Sequence, residues 1–87
     1  MQKINAVKAG LALGTFGAIV HVAWAALVYI GWAQPMLDFM FEVHMAMNPV
    51  IVLTFDLVTA LELVAIVFVV WYIVGYLVAM CWNYFNR

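Results

Sequence analysis

His21 is the side chain in this sequence whose type and position most suggest chemistry. It stands inside an uncharged apolar stretch, about thirteen residues from Lys8 and from Gln34. At the helical rise this places it near the middle of a transmembrane helix, where an imidazole faces protein or water rather than lipid. His21 could be an axial ligand of haem or chlorophyll or a proton-relay group. We favour a neutral histidine that hydrogen-bonds a backbone carbonyl or Thr15 of a neighbouring helix, because a single histidine is no cofactor motif.

A second group of candidate ligands lies in the middle of the chain. Met36, Met40, His44 and Met47 recur at helical intervals. Thioether sulfur and imidazole nitrogen are ligands that suit Cu(I). Methionine also fills apolar space flexibly, and a helix half-embedded in a membrane needs such filling. Filling is therefore the favoured interpretation, and a Cu(I) site is the alternative.

Glu62 can be interpreted in two ways, depending on where the second long helix begins. Residues 59–62 fit a capping box, which starts the helix at residue 60 and leaves Glu62 at the membrane interface. The uncharged residues that follow give about 28 Å of helix, enough to cross a hydrocarbon core of ~30 Å. If the helix instead begins at Thr54 or Asp56, Glu62 lies roughly 9 Å further along and becomes an intramembrane carboxylate. We favour the capping box because it needs no buried charge.

Small residues recur at close helical spacing in both apolar stretches. Such a stripe lets two transmembrane helices approach closely. We therefore expect it to pack helices, either within one chain or between copies. The residues of this stripe are Gly10, Gly14, Gly17, Ala18, Gly75 and Ala79.

The elements that must position these side chains follow from hydropathy. Of the 87 residues, 71% are hydrophobic and 8% are charged, which is too little polar surface for a water-soluble domain. We expect a lipid bilayer around the chain and no nucleic-acid partner. Two apolar stretches predict transmembrane helices at 9–31 and 60–82. Pro35 at a helix start and Asn48-Pro49 at a stop predict a short interfacial helix over 35–47.

The predicted fold is therefore a single all-α membrane domain, residues 1–87, built as a two-helix transmembrane hairpin with a short interfacial helix in the connection. Charge placement predicts its orientation: Lys3, Lys8 and Arg87 flank the spans, whereas the connection carries no Lys or Arg. Cationic flanks stay cytoplasmic, so we expect both termini on the cytoplasmic side of a bacterial inner membrane. The only cysteine, Cys81, excludes an intramolecular disulfide.

Several short segments resemble a family of small uncharacterised bacterial two-span membrane proteins, some of which are labelled holin-like. The resemblance extends from Gly10 onward and is carried by residues 34–39, 55–60, 74–76 and 82–83. It implies a two-span membrane fold and carries over no activity. Members of this family often have asparagine where this chain has Asp56, and they lack the methionine cluster, so the resemblance does not imply copper binding.

The function expected from the sequence is that of a non-catalytic integral membrane protein. It would self-assemble through the stripe of small residues into a homo-oligomer that could enclose a pore, with no cofactor. We do not expect an enzyme, because these residues assemble no nucleophile, base and orienting group. The alternative is an accessory subunit of a larger respiratory or photosynthetic membrane complex, with His21 holding a tetrapyrrole.

Overall fold

Residues 3–86 are described by a computed structural model, and they form three helices and no strand. The helices are α1 (Ala6–Ile30), α2 (Ala33–Val43) and α3 (Leu57–Phe85). α1 and α3 pack along each other, and α2 contacts α1. At 25 and 29 residues, α1 and α3 are long and apolar enough to cross a membrane. The predicted all-α architecture with two long apolar helices is confirmed.

Contacts at both ends of the molecule show that α1 and α3 run antiparallel. At one end the backbone N–H of Ile4 donates to Asn83 Oδ1 at 2.7 Å, and Asn83 Nδ2 donates to the Ile4 carbonyl oxygen at 2.8 Å. At the other end the rings of Tyr29 and Phe55 meet edge to face, with centroids 5.2 Å apart. We call this second end the connection end, because it holds α2 and residues 44–56. Arg87, used to predict the orientation, lies outside the described residues.

Each end of α1 is closed by a local hydrogen-bonding motif. The Asn5 side chain accepts the backbone N–H of Lys8 at 3.1 Å, which satisfies one of the free amides of the first turn. At the other end Gly31 has a φ of 83°, a left-handed conformation that glycine adopts without steric cost. The chain then reverses, and α2 begins two residues later.

α2 begins earlier than predicted, at Ala33 instead of residue 35. Pro35 therefore lies at the third helical position, where the missing backbone N–H would have had no partner inside the helix. α2 also ends earlier, at Val43 instead of residue 47. The predicted boundaries 35–47 are wrong at both ends, although the helix itself exists.

The end of α2 is set by Met45, which has a φ of 58°. Its N–H donates to the Glu42 carbonyl at 2.9 Å, and the N–H of Ala46 donates to the Phe41 carbonyl at 3.0 Å. This pair of bonds is the Schellman ending, normally built on glycine. The helix therefore stops before Asn48-Pro49 is reached, and the proline was the wrong stop signal.

The beginning of α3 also differs from the favoured prediction. Asp56 is the N-cap residue and Leu57 is the first helical residue, so the capping box predicted at residues 59–62 is not what starts this helix. Thr59 already lies in the first turn, where its hydroxyl donates to Asp56 Oδ2 at 2.6 Å. The rival start at Asp56 is correct. It places Glu62 at the sixth residue of α3, one and a half turns into the helix.

The molecule is a single layer of helices with little interior. Its extents are 47 × 34 × 15 Å, and the smallest is close to the ~10–12 Å diameter of one helix with its side chains. The only buried side chains in the described part of the chain are those of Ala33 and Ala79. Most of the apolar surface of α1 and α3 therefore faces outward.

Candidate functional site

The glycines of α1 lie so close to α3 that they leave no room for a side chain, and this contact, which we call the glycine seam, packs the two helices together. Gly10 and Gly14 are buried, and a Cβ on either would lie 2.9 Å from a backbone oxygen of α3, that of Tyr72 and Phe68 respectively. A Cβ on Gly17 would lie 2.7 Å from Trp71 Cδ1. The seam exists because these residues have no side chain.

α3 contributes the same kind of residue to the seam. A Cβ on Gly75 would lie 2.5 Å from the Ala9 carbonyl oxygen, and Ala79 is 1% exposed. Ala18 is only half-buried. The stripe therefore packs two helices of the same chain together, which is one of the two predicted alternatives. In this conformation α3 of the same chain covers the stripe, and the other alternative, self-assembly through the stripe, stays a prediction.

An aromatic row on α3 forms the other side of the seam and was not predicted. Phe68, Tyr72 and Tyr76 are four residues apart, with successive ring centroids 6.3 Å apart. The rings of Tyr72 and Phe68 lie against Gly10 and Gly14, which have the same spacing. The signal in the sequence was this matched four-residue spacing, which the small residues of α3 alone do not show.

His21 lies on the side of α1 that carries Gly10, Gly14 and Gly17, and it is half-buried. Its Nδ1 is 2.8 Å from the Gly17 carbonyl oxygen, one turn back in the same helix. Because a carbonyl oxygen can only accept, the neutral ring carries its proton on Nδ1 and leaves the Nε2 lone pair free. A hydrogen bond to a backbone carbonyl was expected, but from a neighbouring helix; the structure places it within α1.

Glu62 lies on the outside of the hairpin. Gly17 of α1 lies against Val67 of α3. Glu62 is five residues before Val67, and because the two helices are antiparallel it lies level with His21 and Val22 of α1. The midpoint of α1 is about four residues, or ~6 Å, away. Glu62 is exposed, and within residues 3–86 no hydrogen bond or ion pair reaches its carboxylate. It is a carboxylate level with the middle third of α1 and one and a half turns into α3, and it faces away from its own partner helix.

The methionine cluster is divided by the early end of α2. Met36 and Met40 lie on the helix, and the His44 Nδ1 bonds the Met40 carbonyl oxygen just past its end. Met47 follows the left-handed turn at Met45 and does not continue the helical row. The prediction that all four residues share one helical face is therefore wrong. No cluster of three or more His, Cys, Asp or Glu side chains suited to a metal occurs in the described part of the chain.

A network of side chains that we call the polar clasp, made of Gln34, Asp38 and Asn48, ties α2 to the extended residues that follow it. Gln34 Nε2 donates to the Val50 carbonyl at 3.0 Å, and Gln34 Oε1 accepts the Val52 N–H at 2.6 Å. The Gln34 amide thereby pairs with backbone groups of this extended segment as a neighbouring β-strand would. It satisfies backbone groups that an apolar surrounding would leave unpaired.

Asp38 is the acceptor at the centre of the polar clasp. Its Oδ1 receives Asn48 Nδ2 at 2.7 Å and Gln34 Nε2 at 3.0 Å. These bonds hold the pKa of the Asp38 carboxyl below its usual value, and the bond from Asn48 has the larger effect. They do so because they stabilise the charged form. The clasp therefore holds a carboxylate rather than a neutral acid.

Beside the polar clasp lies a groove with a volume of about 480 Å³. Its walls are Trp24, Ala25 and Val28 of α1, residues 50–56 of the connection, and Thr59, Ala60 and Leu63 of α3. The walls are apolar along most of their length, and the polar groups of Thr54, Asp56 and Thr59 lie where α3 begins. Such a groove can bind an apolar ligand, but its walls contain no nucleophile in contact with a base.

Comparison of the chain with protein-family models, with curated proteins and with solved structures gave no match. The class of molecule is therefore given by its own geometry: an all-helical hairpin, closed by a glycine seam, with a carboxylate on its outer face and an apolar groove at its connection end.

Proposed function

We propose that this chain is a non-catalytic integral membrane protein whose hairpins self-assemble with Glu62 facing a neighbouring copy. α1 and α3 cross the bilayer in this proposal, and α2 lies in its outer interface. The lengths and mean hydropathies of the two helices, 1.9 and 2.6, support the insertion. The amphipathic α2, with Asp38 and Glu42 one turn apart, supports an interfacial position.

The observation that carries the proposal is the position of Glu62. With α1 and α3 across the bilayer, Glu62 lies about 6 Å from the depth of the α1 midpoint and about 13 Å from that of the α3 midpoint, inside the apolar layer by either measure. Ionisable side chains at that depth face a protein interior or a water-filled cavity, because exposure to lipid is costly. A lone hairpin gives Glu62 neither. A neighbouring copy supplies the missing partner, and a ring of copies would line a pore with these carboxylates.

The orientation follows from the same membrane placement. Lys3 and Lys8 lie at the end opposite the connection, and the described connection carries three acidic side chains and no Lys or Arg. Under the positive-inside rule both termini are cytoplasmic, and the bacterial inner membrane is the proposed location.

The proposal is tested by the mass of the protein in mild detergent, with Glu62→Leu as the variant and Glu42→Leu as its control. A polar contact between helices contributes about 0.6 to 2 kcal/mol, so we expect Glu62→Leu to weaken association about 3- to 30-fold. Glu42 is exposed on α2, and its replacement should leave the mass unchanged. An unchanged oligomer in Glu62→Leu across a dilution series would contradict the proposal.

The pore is tested separately in liposomes. Glu62→Gln keeps the shape and hydrogen-bonding capacity of the side chain but removes its charge. We expect the oligomer to survive and a proton or cation flux to fall. Equal flux in parent and variant would contradict a pore lined by Glu62, while the proposed assembly would still stand.

His21 favours a second candidate function, that of an accessory subunit which binds a tetrapyrrole. The bond from Nδ1 to the Gly17 carbonyl leaves Nε2 as the only ring nitrogen able to ligate a metal, the arrangement typical of histidine ligands. Absorption of the protein purified in mild detergent tests it. A Soret band that His21→Ala abolishes supports this function, and a colourless oligomer contradicts it.

A further inference from the structure

We propose that the groove at the connection end holds one acyl chain of a membrane lipid whose headgroup ammonium pairs with Asp56. The inference rests on the proposed membrane insertion of α1 and α3, and it adds a ligand to a site that self-assembly does not use. A lipid with an ammonium group and a fatty tail is the occupant that matches both the walls and the charge of the groove.

The walls of the groove suit a hydrocarbon chain. The volume of this open groove, about 480 Å³, lies within the range of pockets that hold small molecules. The indole of Trp24 and the side chains of Val28 and Leu63 provide apolar contacts from both long helices. Small residues, Ala25 and Ala60, open the space between them.

The polar groups of the groove are at one end, so an amphiphile has only one way to enter. From Asp56 to Leu63 the groove follows α3 for seven residues, about 10 Å. Asp56 lies level with the Tyr29–Phe55 pair, where aromatic rings mark a membrane interface. Leu63 lies toward the bilayer centre. A lipid placed with its head at the interface and its tail inward follows the same direction.

The charge at the mouth of the groove selects a cation. Asp56 Oδ2 accepts the Thr59 hydroxyl, and no other hydrogen bond or ion pair to this carboxylate occurs among residues 3–86. The cationic side chains of the whole sequence are Lys3, Lys8 and Arg87, and the two described ones lie at the opposite end of the hairpin. An ammonium headgroup supplies the missing counter-charge.

The experiment uses bromine atoms on the lipid tail, which quench a tryptophan that they touch. The full chain is placed in bilayers that contain brominated phosphatidylethanolamine or brominated phosphatidylglycerol, which share the phosphate but differ in the ammonium. Quenching at Trp24 is obtained as the difference between the parent and Trp24→Phe. We expect about threefold stronger quenching by the ammonium lipid, a modest preference because the charge pair lies at an exposed interface, and a preference that falls as salt rises.

Asp56→Asn is the matched variant. Asparagine is as good an N-cap residue as aspartate, and its side-chain oxygen can still accept the Thr59 hydroxyl, so only the charge is removed. We expect the preference for the ammonium lipid to disappear while quenching by both lipids persists. Glu42→Gln removes a charge outside the groove and should change nothing. Ala25→Leu fills the groove and should reduce quenching by both lipids.

The outcomes separate this inference from the proposed function. If the chain does not float with liposomes, the membrane proposal itself fails. If it floats but the two lipids quench equally, or if Glu42→Gln acts as strongly as Asp56→Asn, the lipid inference is overturned and the membrane proposal stands. If neither lipid quenches Trp24, another occupant, such as a second copy of the chain, fills the groove and the inference is again overturned.

Discussion

Gly75→Ala should destabilise the hairpin more than any other glycine-to-alanine change in the seam. A Cβ at this position would lie 2.5 Å from the Ala9 carbonyl oxygen and 3.0 Å from Gly10 Cα. Both neighbours are backbone, which no side-chain rotation can move. Ordinary contact needs nearly 1 Å more, so α1 and α3 must separate locally.

The size of the effect follows from two opposing terms. Adding a methyl group to a filled site costs about 1–3 kcal/mol, since a gap of 0.5–1 Å forfeits a quarter to a half of each dispersion contact. Alanine is the better helix former by about 1 kcal/mol. We expect Gly75→Ala to lower the free energy of unfolding by about 1 kcal/mol.

Gly17→Ala is the matched control, because it brings the same gain in helix propensity. Its new methyl group would meet Trp71 and Val67 side chains, at 2.7 and 3.2 Å, and Trp71 is partly exposed and can turn aside. We expect a change within about 0.5 kcal/mol of zero. The assay is titration of micelles with dodecyl sulfate, followed by circular dichroism and tryptophan fluorescence. A parent-like midpoint in Gly75→Ala, or a larger loss in Gly17→Ala, would refute the reasoning about the seam.

Two further predictions concern the connection end. Met45→Gly should stabilise the end of α2 by up to about 1 kcal/mol, because glycine adopts the left-handed φ of 58° without the Cβ penalty. Met47 is equally exposed but has no positive φ, so the control Met47→Gly should only destabilise the protein. The reverse order of the two variants in thermal unfolding would contradict the prediction. The lowered pKa of Asp38 means that its contribution to the clasp is complete above the usual value of 3.8 and is lost as pH falls through the lower folded-state pKa. The amide resonances of Val50 and Val52 in micelles should therefore titrate below pH 3.8, and a midpoint above that value would show that the clasp does not hold the carboxylate.

Hydropathy was enough to predict the two long helices and the hairpin, because a run of about 20 uncharged apolar residues has few other folds available to it. The helix starts were harder to predict. Asp56 with Thr59, and Thr59 with Glu62, are both plausible N-terminal pairs three residues apart. The choice between them depends on contacts with other parts of the chain, the Tyr29–Phe55 ring pair and the bond from Val52 to Gln34, which keep the preceding residues extended.

The end of α2 and the role of the glycines could not be read from local patterns for different reasons. A methionine in the left-handed region gives no sequence signal, since that position usually belongs to glycine or asparagine. A stripe of small residues shows that a helix is approached closely but not by which helix, because lipid is as apolar as either candidate. The four-residue spacing of Phe68 and Tyr72, which matches that of Gly10 and Gly14, was the available sign that α3 is the partner helix, but the same spacing fits α3 of a second copy equally well.

The seam and Glu62 lie on different sides of α3, and this separation makes their roles independent. The residues that meet α1, such as Phe68 and Gly75, form one side of the helix, whereas Glu62 continues into the exposed residues Ile66 and Val69. A change in the seam acts first on the hairpin, and a change at Glu62 acts on whatever covers the opposite side. Sites without shared contacts have additive effects. In the double variant of Gly75→Ala and Glu62→Leu, the loss of hairpin stability and the loss of oligomer mass should therefore each have the size seen in the corresponding single variant. A loss much larger or smaller than that in either measurement would mean that assembly and hairpin closure use the same face.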